Sequence, residues 1–134
     1  MECKIESKIG SIKTSESSLF NFLSNFNNFR HLIPPDKVKN FQSSTDTCTF
    51  EIDQIGRTGL KILEKQPFNL IKIVGLDSKI DFHLWIQLKQ VTELDTRIKL
   101  TMKLDLNPMM KMMAVKPLTN FLNSLVDQLS LIRF

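Results

Sequence analysis

His31 is the residue whose type and surroundings come nearest to chemistry. It follows Arg30 at the end of a short predicted helix, and Asp36 is the nearest acid in sequence. An imidazole there could serve as a general base or hold a ligand by a hydrogen bond, given a partner to tune it. With no closer acid, a surface or capping role is the simpler reading. Arg30 could hold an anionic head group or stay solvated. His83 alternates onto the wet face of a predicted strand and carries little catalytic weight. Two histidines without a carboxylate cluster do not make a metal site, and no cofactor is expected. Cys3 and Cys48 show no metal or redox spacing, so they read as free thiols in a reducing compartment.

The remaining signals are apolar. Met109, Met110, Met112 and Met113 crowd the start of the last helical segment. Methionine is flexible and polarizable, so the cluster reads as a pliable lip for an apolar ligand or membrane surface, or as core filling where helix meets sheet. Core filling is preferred, although four of five successive helix positions cannot all point inward. Trp85 is the single tryptophan and falls on the wet face of its strand. It reads either as a partner surface, such as a homodimer contact, or as a ring covered by the stems of Arg97 and Lys99. The chain has no tyrosine. A pocket here would offer few polar groups, with Gln54, Thr58 and Glu64 near strand ends the candidates.

The elements that must position these residues follow from periodicity. Cys3–Lys13 alternates weakly, with Ile5 and Ile9 on one face, and reads as a half-buried strand. Thr14 or Ser15 can cap a helix whose apolar face is Leu19, Phe22, Leu23 and Phe26. A short second helix, Phe29–Leu32, stops before Pro34-Pro35. From Val38 to Leu106 the period is two, with turn residues at Ser44-Thr45-Asp46, Gly56, Gln66-Pro67, Leu76–Lys79 and Thr92–Leu94. The strands Ile80–Val91 and Asp95–Leu106 are the clearest. Asn107 is a good N-cap and Pro108 suits the first helical position. The segment from there to Phe134 carries an apolar stripe of Ala114, Leu118, Phe121, Leu122, Leu125, Leu129 and Ile132. Pro117 inside it predicts a kink or break, which would either open an entrance or curve the helix around the sheet.

The bulk numbers set limits. The chain has 134 residues, 42% hydrophobic and 24% charged, which fits one soluble domain with a core that needs no disulfide. The net charge of +4 is scattered among acids, so nucleic acid is not an expected partner. No apolar run approaches the ~20 residues of a membrane span. The polar start, Met1-Glu2-Cys3-Lys4, lacks a signal-peptide core, and a cytoplasmic location is expected.

Strand, two short helices, antiparallel strands and one long last helix resemble the helix-grip fold of the START-like or Bet v 1-like superfamily. Pro34-Pro35, the Cys48–Gly56 strand and turn, and the Leu104–Met113 passage into the last helix are similar to its small bacterial, polyketide cyclase/dehydrase-like members. The resemblance spans the chain and implies an α+β domain. A curved seven-stranded antiparallel sheet would wrap the C-terminal helix, with two short helices between strands 1 and 2 and an apolar cavity inside. Members bind lipids, sterols, polyketides, quinones or plant hormones; some are cyclases or hydrolases, and some act on ribosomes or chaperones. Fold does not choose among these.

The leading expectation is a binder or carrier of a small hydrophobic molecule. The residues expected to line its cavity are Phe50, Ile52, Ile62, Ile73, Leu84, Ile86, Leu100, Met102, Met110, Leu118, Phe121 and Leu125. One alternative is a cyclase/dehydrase-type enzyme using His31 and a pocket carboxylate such as Glu64, which predicts that Glu64 faces inward. Another is an interaction module whose own side chains fill the cavity.

Overall fold

A computed structural model describes residues 2–53, 55–77 and 80–134. Gln54 and the Ser78–Lys79 part of the expected Leu76–Lys79 turn lie outside the described residues. The elements, in chain order, are β1 (Glu2–Glu6), β2 (Gly10–Ile12), α1 (Glu16–Leu23), a 3-10 helix (Phe26–His31), β3 (Val38–Ser43), β4 (Thr47–Ile52), β5 (Gly56–Gln66), β6 (Leu70–Gly75), β7 (Phe82–Thr92), β8 (Asp95–Asp105) and α2 (Pro108–Leu129). All strands join one antiparallel sheet in the order β1-β8-β7-β6-β5-β4-β3, with β2 also on β8. The eight strand segments therefore fill seven places, and the helix-grip arrangement is present.

Two bulges decide which side chains face inward. The β1–β8 pairing runs Glu2 with Asp105 to Glu6 with Thr101, but β2 resumes with Gly10 opposite Ile98, one residue out of step. Ser7 holds the irregularity: its N–H donates to the Leu100 carbonyl at 2.8 Å, and its Oγ accepts from the Leu100 N–H at 2.9 Å. An extra residue reverses the alternation beyond it. Ile5 is buried and Ile9 is 65% exposed, which corrects the expectation that they share a face. The same slip occurs in β5, where Ile62 pairs with Ile73 but Glu64 pairs with Lys72. Leu63 is pushed out, and Glu64 lands on the outer face.

Capping fixes the helix starts. Ser15 Oγ accepts from the Ser18 N–H at 3.2 Å, and Leu19, Phe20 and Leu23 of α1 are buried. Asn25 caps the 3-10 helix, which covers Phe26–His31 rather than Phe29–Leu32. Phe26 and Phe29 meet edge to face at 4.8 Å, and the Phe26 N–H donates to the Thr45 carbonyl at 2.9 Å, tying this helix to the β3–β4 loop. Edge strand β3 carries its own irregularity. Asn40 has φ 56°, in a region asparagine tolerates better than most residues, and the register shifts between Lys39 and Gln42. That distortion protects an open sheet edge from pairing with another chain.

Helix α2 lies across the concave face and buries Ala114, Leu118, Phe121, Leu122, Leu125, Val126 and Leu129. Gly10 lets it approach closely: a Cβ there would stand 2.4 Å from Val126 Cγ1. The helix passes through Pro117 without a break and stops at Leu129, five residues short of the chain end. Ile132 is half-buried beyond the helix rather than on its stripe, and Phe134 meets Phe22 edge to face at 5.4 Å.

Candidate functional site

The concave face of the sheet and the buried stripe of α2 enclose a cavity of about 50 Å3. Its wall is drawn from β4 (Phe50, Ile52), β5 (Thr58, Leu60), β7 (Phe82, Leu84, Ile86), β8 (Leu100, Met102, Leu104), α2 (Leu118, Phe121, Leu125, Leu129), the short-helix region (Leu23, Phe29, Leu32, Ile33) and two connecting residues, Ile55 and Ile80. Thr58 is the one polar side chain among them. Parity explains the composition: inward positions of a strand packed on an apolar helix must be apolar, because an unpaired polar group there has no water to bond.

Nine of the twelve expected residues line this wall: Phe50, Ile52, Leu84, Ile86, Leu100, Met102, Leu118, Phe121 and Leu125. Three do not. Ile62 and Ile73 face each other across β5 and β6, buried in the core away from the cavity. Met110 is half-buried near the start of α2. Leu60, Phe82 and Leu104 were within reach of the alternation, since each continues an inward stripe. Leu23, Phe29, Leu32 and Ile33 were not, because nothing local to the short helices says which way they fold onto the sheet.

Aromatic packing keeps the cavity small. Phe41 stacks on Phe50 with ring centroids 6.2 Å apart, and Phe50 on Phe121 at 5.7 Å, both pairs tilted by 27°. A dry cavity near 150 Å3 accepts a benzene ring. The present space is well below that, so a ligand of that size needs side chains to move.

A second hollow lies against the first. It is an open groove of about 540 Å3, lined by Pro34, Lys37, Ile52, Asp53, Met112, Met113, Lys116, Pro117, Asn120 and Phe121. Ile52 and Phe121 belong to both walls, so cavity and groove adjoin at these two residues. Pro117 sits on the groove side without interrupting α2. Its missing N–H leaves the Met113 carbonyl without the usual helical donor at that spot.

Titratable groups stay outside. His31, Arg30, Asp36 and Glu64 are exposed, and none reaches the cavity wall. Glu64 Oε2 accepts instead from Gln66 Nε2 at 2.9 Å on the outer side of the sheet. Glu64 is therefore not an inward carboxylate, and the β5 bulge is the cause. Cys3 and Cys48 are buried free thiols, and burial pushes the Cys48 thiol up to about 12. Among the described residues, no three His, Cys, Asp or Glu side chains converge as metal ligands.

Two surface expectations also resolve. Trp85 is half-buried, stacked on His83 at 5.8 Å, with Lys72 Nζ and Lys103 Nζ each 5.8 Å from its ring. Its cover thus comes from Lys72 and Lys103, not from Arg97 and Lys99, which turn to Asp95 and Glu6. Met109, Met112 and Met113 are exposed, so core filling is corrected: they lie on the face of α2 opposite its buried stripe. Among the described residues, no helix is long and apolar enough to cross a membrane.

No protein-family profile matches the chain, and no curated protein matches it in sequence. Solved structures do. Norcoclaurine synthase from Thalictrum flavum, in complex with dopamine and hydroxybenzaldehyde, superposes with a TM-score of 0.76 at 13% identity, covering 97% of this chain and 85% of that one. A START superfamily protein from Mycobacterium smegmatis gives 0.65 at 12% identity, over 94% of this chain and 98% of the other. The Zhui aromatase/cyclase of a Streptomyces species gives 0.64 at 12%, over 96% and 94%. These neighbours are START and Bet v 1-like proteins, and this chain shares their fold from end to end.

Proposed function

We propose that this chain binds and carries a small hydrophobic molecule, lipid-, quinone- or polyketide-like, in the space between sheet and α2. One observation carries the reading: a hydrocarbon cavity and an open groove share Ile52 and Phe121 in their walls. A rotation of Phe121 away from Phe50 would join the two hollows into a site large enough for such a ligand. Thr58 offers one hydroxyl for orientation, so affinity would come from apolar burial, about 25 cal/mol per Å2. Among the described residues the wall supplies no acid or base, which supports carriage over proton-transfer chemistry. Norcoclaurine synthase, with two small aromatic molecules bound, supports the reading that this fold accommodates such guests. Buried free thiols suit a reducing, cytoplasmic setting.

The volume of about 50 Å3 supports a second reading, in which the chain fills its own cavity and acts through its surface. Native mass spectrometry with organic extraction separates the two. A reproducible co-purifying apolar molecule is the expected result. In Phe121→Ala, removal of the shared side chain should raise uptake of a fluorescent apolar probe, while stability falls by about 3 kcal/mol. A clean apo mass, with no thermal shift from apolar compounds in either protein, would sink carriage and leave the filled-core reading.

A further inference from the structure

The first turn and a half of α2 is built unlike the rest of the molecule. Met109, Met112 and Met113 are 73%, 86% and 65% exposed, with Met110 half-buried at their base. Positions 109, 112, 113 and 116 share one helical face, so the three exposed methionines and Lys116 form a single stripe. This turn is nevertheless held in shape. Asn107 Oδ1 accepts from the Met110 N–H at 2.8 Å, the Asn107 carbonyl accepts from the Lys111 N–H at 2.9 Å, and Pro108 presets the first position. Single apolar side chains on a surface need no explanation, but three together on a preorganised turn do.

The surrounding charge gives the sign of the partner. Lys111 is in the same turn, Lys116 on the same stripe, and Lys37 lines the adjacent groove, where Asp53 is the acid. The first turn of α2 carries no acidic residue. A carboxylate there would stabilise the helix through its dipole, so its absence forgoes stability while sparing a repulsion against an anionic surface. A second copy of the chain on the same face would bring Lys116 of both copies together, which like charge opposes.

We propose that the Met109–Met113 turn docks on an anionic lipid bilayer. Met109, Met112 and Met113 would seat at headgroup level, with Lys116 of the same stripe against lipid phosphates. The segment from 108 to 113 is roughly 9 Å of helix, and lying in the interface plane it would present its methionine face to the headgroups. Because the groove and Phe121 lie beside this turn, docking would place the mouth of the cavity at the membrane surface. The docking goes beyond carriage: vesicle binding reads it whether or not the cavity is filled, and ligand extraction reads the cavity whether or not vesicles bind.

The experiment is flotation with vesicles of phosphatidylcholine alone and of equal phosphatidylcholine and phosphatidylglycerol. The protein should float with the mixed vesicles only, and less so in high salt. Replacing the methionines singly (Met109→Ser, Met112→Ser, Met113→Ser) should weaken partitioning by roughly tenfold each. Lys116→Gln should weaken it by roughly fivefold, and Lys111→Gln, on the other side of the helix, by less. These side chains are exposed, so unchanged melting temperatures would separate lost docking from lost folding. The proposal is overturned if wild type leaves mixed vesicles unbound, or if the triple serine variant binds as well as wild type. It is equally overturned if sedimentation equilibrium shows a dimer that the triple variant loses, because the turn would then serve a second copy.

Discussion

Helix α2 from Ala114 to Leu129 and the same helix from Pro108 to Met113 are held by different physics. The longer part buries seven side chains against the sheet, with Leu122 wholly buried and Val126 seated over Gly10. The shorter part has no fully buried side chain, and its helical form rests on Asn107 and Pro108. Short helices are marginal without packing, so this second arrangement persists only as an extension of the first. The contrast teaches where stability and function divide: one part holds the fold together, and the other is free to meet something else.

The largest test of the contrast is a pair of truncations. Leu122→Ala should cost about 3 kcal/mol in urea unfolding, since it removes a buried side chain and leaves a void. Met112→Ala should change stability by less than about 0.5 kcal/mol, because its side chain is in water already. Equal costs would erase the distinction between the two parts.

Gly10→Ala comes next. Its Cβ would sit 2.4 Å from Val126 Cγ1 and 3.2 Å from Ile98 Cγ2, both on branched side chains with little room to turn. The helix must lift or the strand must give, at a cost of about 1–3 kcal/mol. Pairing the change with Val126→Ala sharpens the point. The double variant should be more stable than the sum of the singles implies, by about 1 kcal/mol, because the new methyl occupies the space vacated. Strict additivity would mean that the close approach at Gly10 is not what seats the packed part.

Asn107→Ala tests the other part. Loss of the cap should cost about 1 kcal/mol. Hydrogen exchange should speed up at Met110 and Lys111 and stay unchanged at Leu122. If exchange instead rose along the whole helix, the Pro108–Met113 segment would not be a separate unit.

Sequence periodicity read this molecule well where alternation is unbroken. Phe82, Leu84, Ile86 and Leu88 of β7, with Ile98, Leu100, Met102 and Leu104 of β8, face inward as the pattern requires, and both strands are regular over that span. The Asn107-Pro108 start of α2 was legible because capping chemistry is local. Ile9 and Glu64 were misread for one shared reason: each lies beyond a bulge, and one inserted residue inverts parity without altering composition. The end of α2 was overrun because Ile132 keeps the helical period, whereas the chain turns away after Ser130 to bring Phe134 onto Phe22. The cavity wall was mostly legible but its volume was not, since that depends on how Phe41, Phe50 and Phe121 stack across three elements. The exposed methionines were misassigned although the period was legible: Met109, Met112 and Met113 fall on the helix face opposite Ala114, Leu118, Phe121 and Leu125, so only Met110 was placed to turn inward.

The smallest expected effect is a pH dependence that belongs to the packed part alone. Strand β1 lies under α2, and its outer face carries Glu6, paired with Lys99 and, at 3.5 Å, with Lys4. The hydrogen bond donated by Lys99 holds the Glu6 carboxyl below its ordinary 4.5, against a slight opposing desolvation and with further help from Lys4. A carboxylate depressed in the folded state adds stability that is complete above its unfolded pKa and is lost as pH falls through the folded value. Wild type should therefore exceed Glu6→Gln slightly at neutral pH, and the two should converge as pH falls through the lowered folded value. The difference will be small because both partners are exposed and screened by solvent. Asp95 is also depressed, by Ser11 and then Arg97, but it titrates equally in both proteins and cancels from the comparison. The Pro108–Met113 segment contains no carboxylate, so exchange at Met110 relative to Leu122 should not respond to the Glu6 substitution at either pH. A Glu6 effect that reached this segment would show the two parts of α2 to be coupled through β1, and the independence argued from their packing would fail.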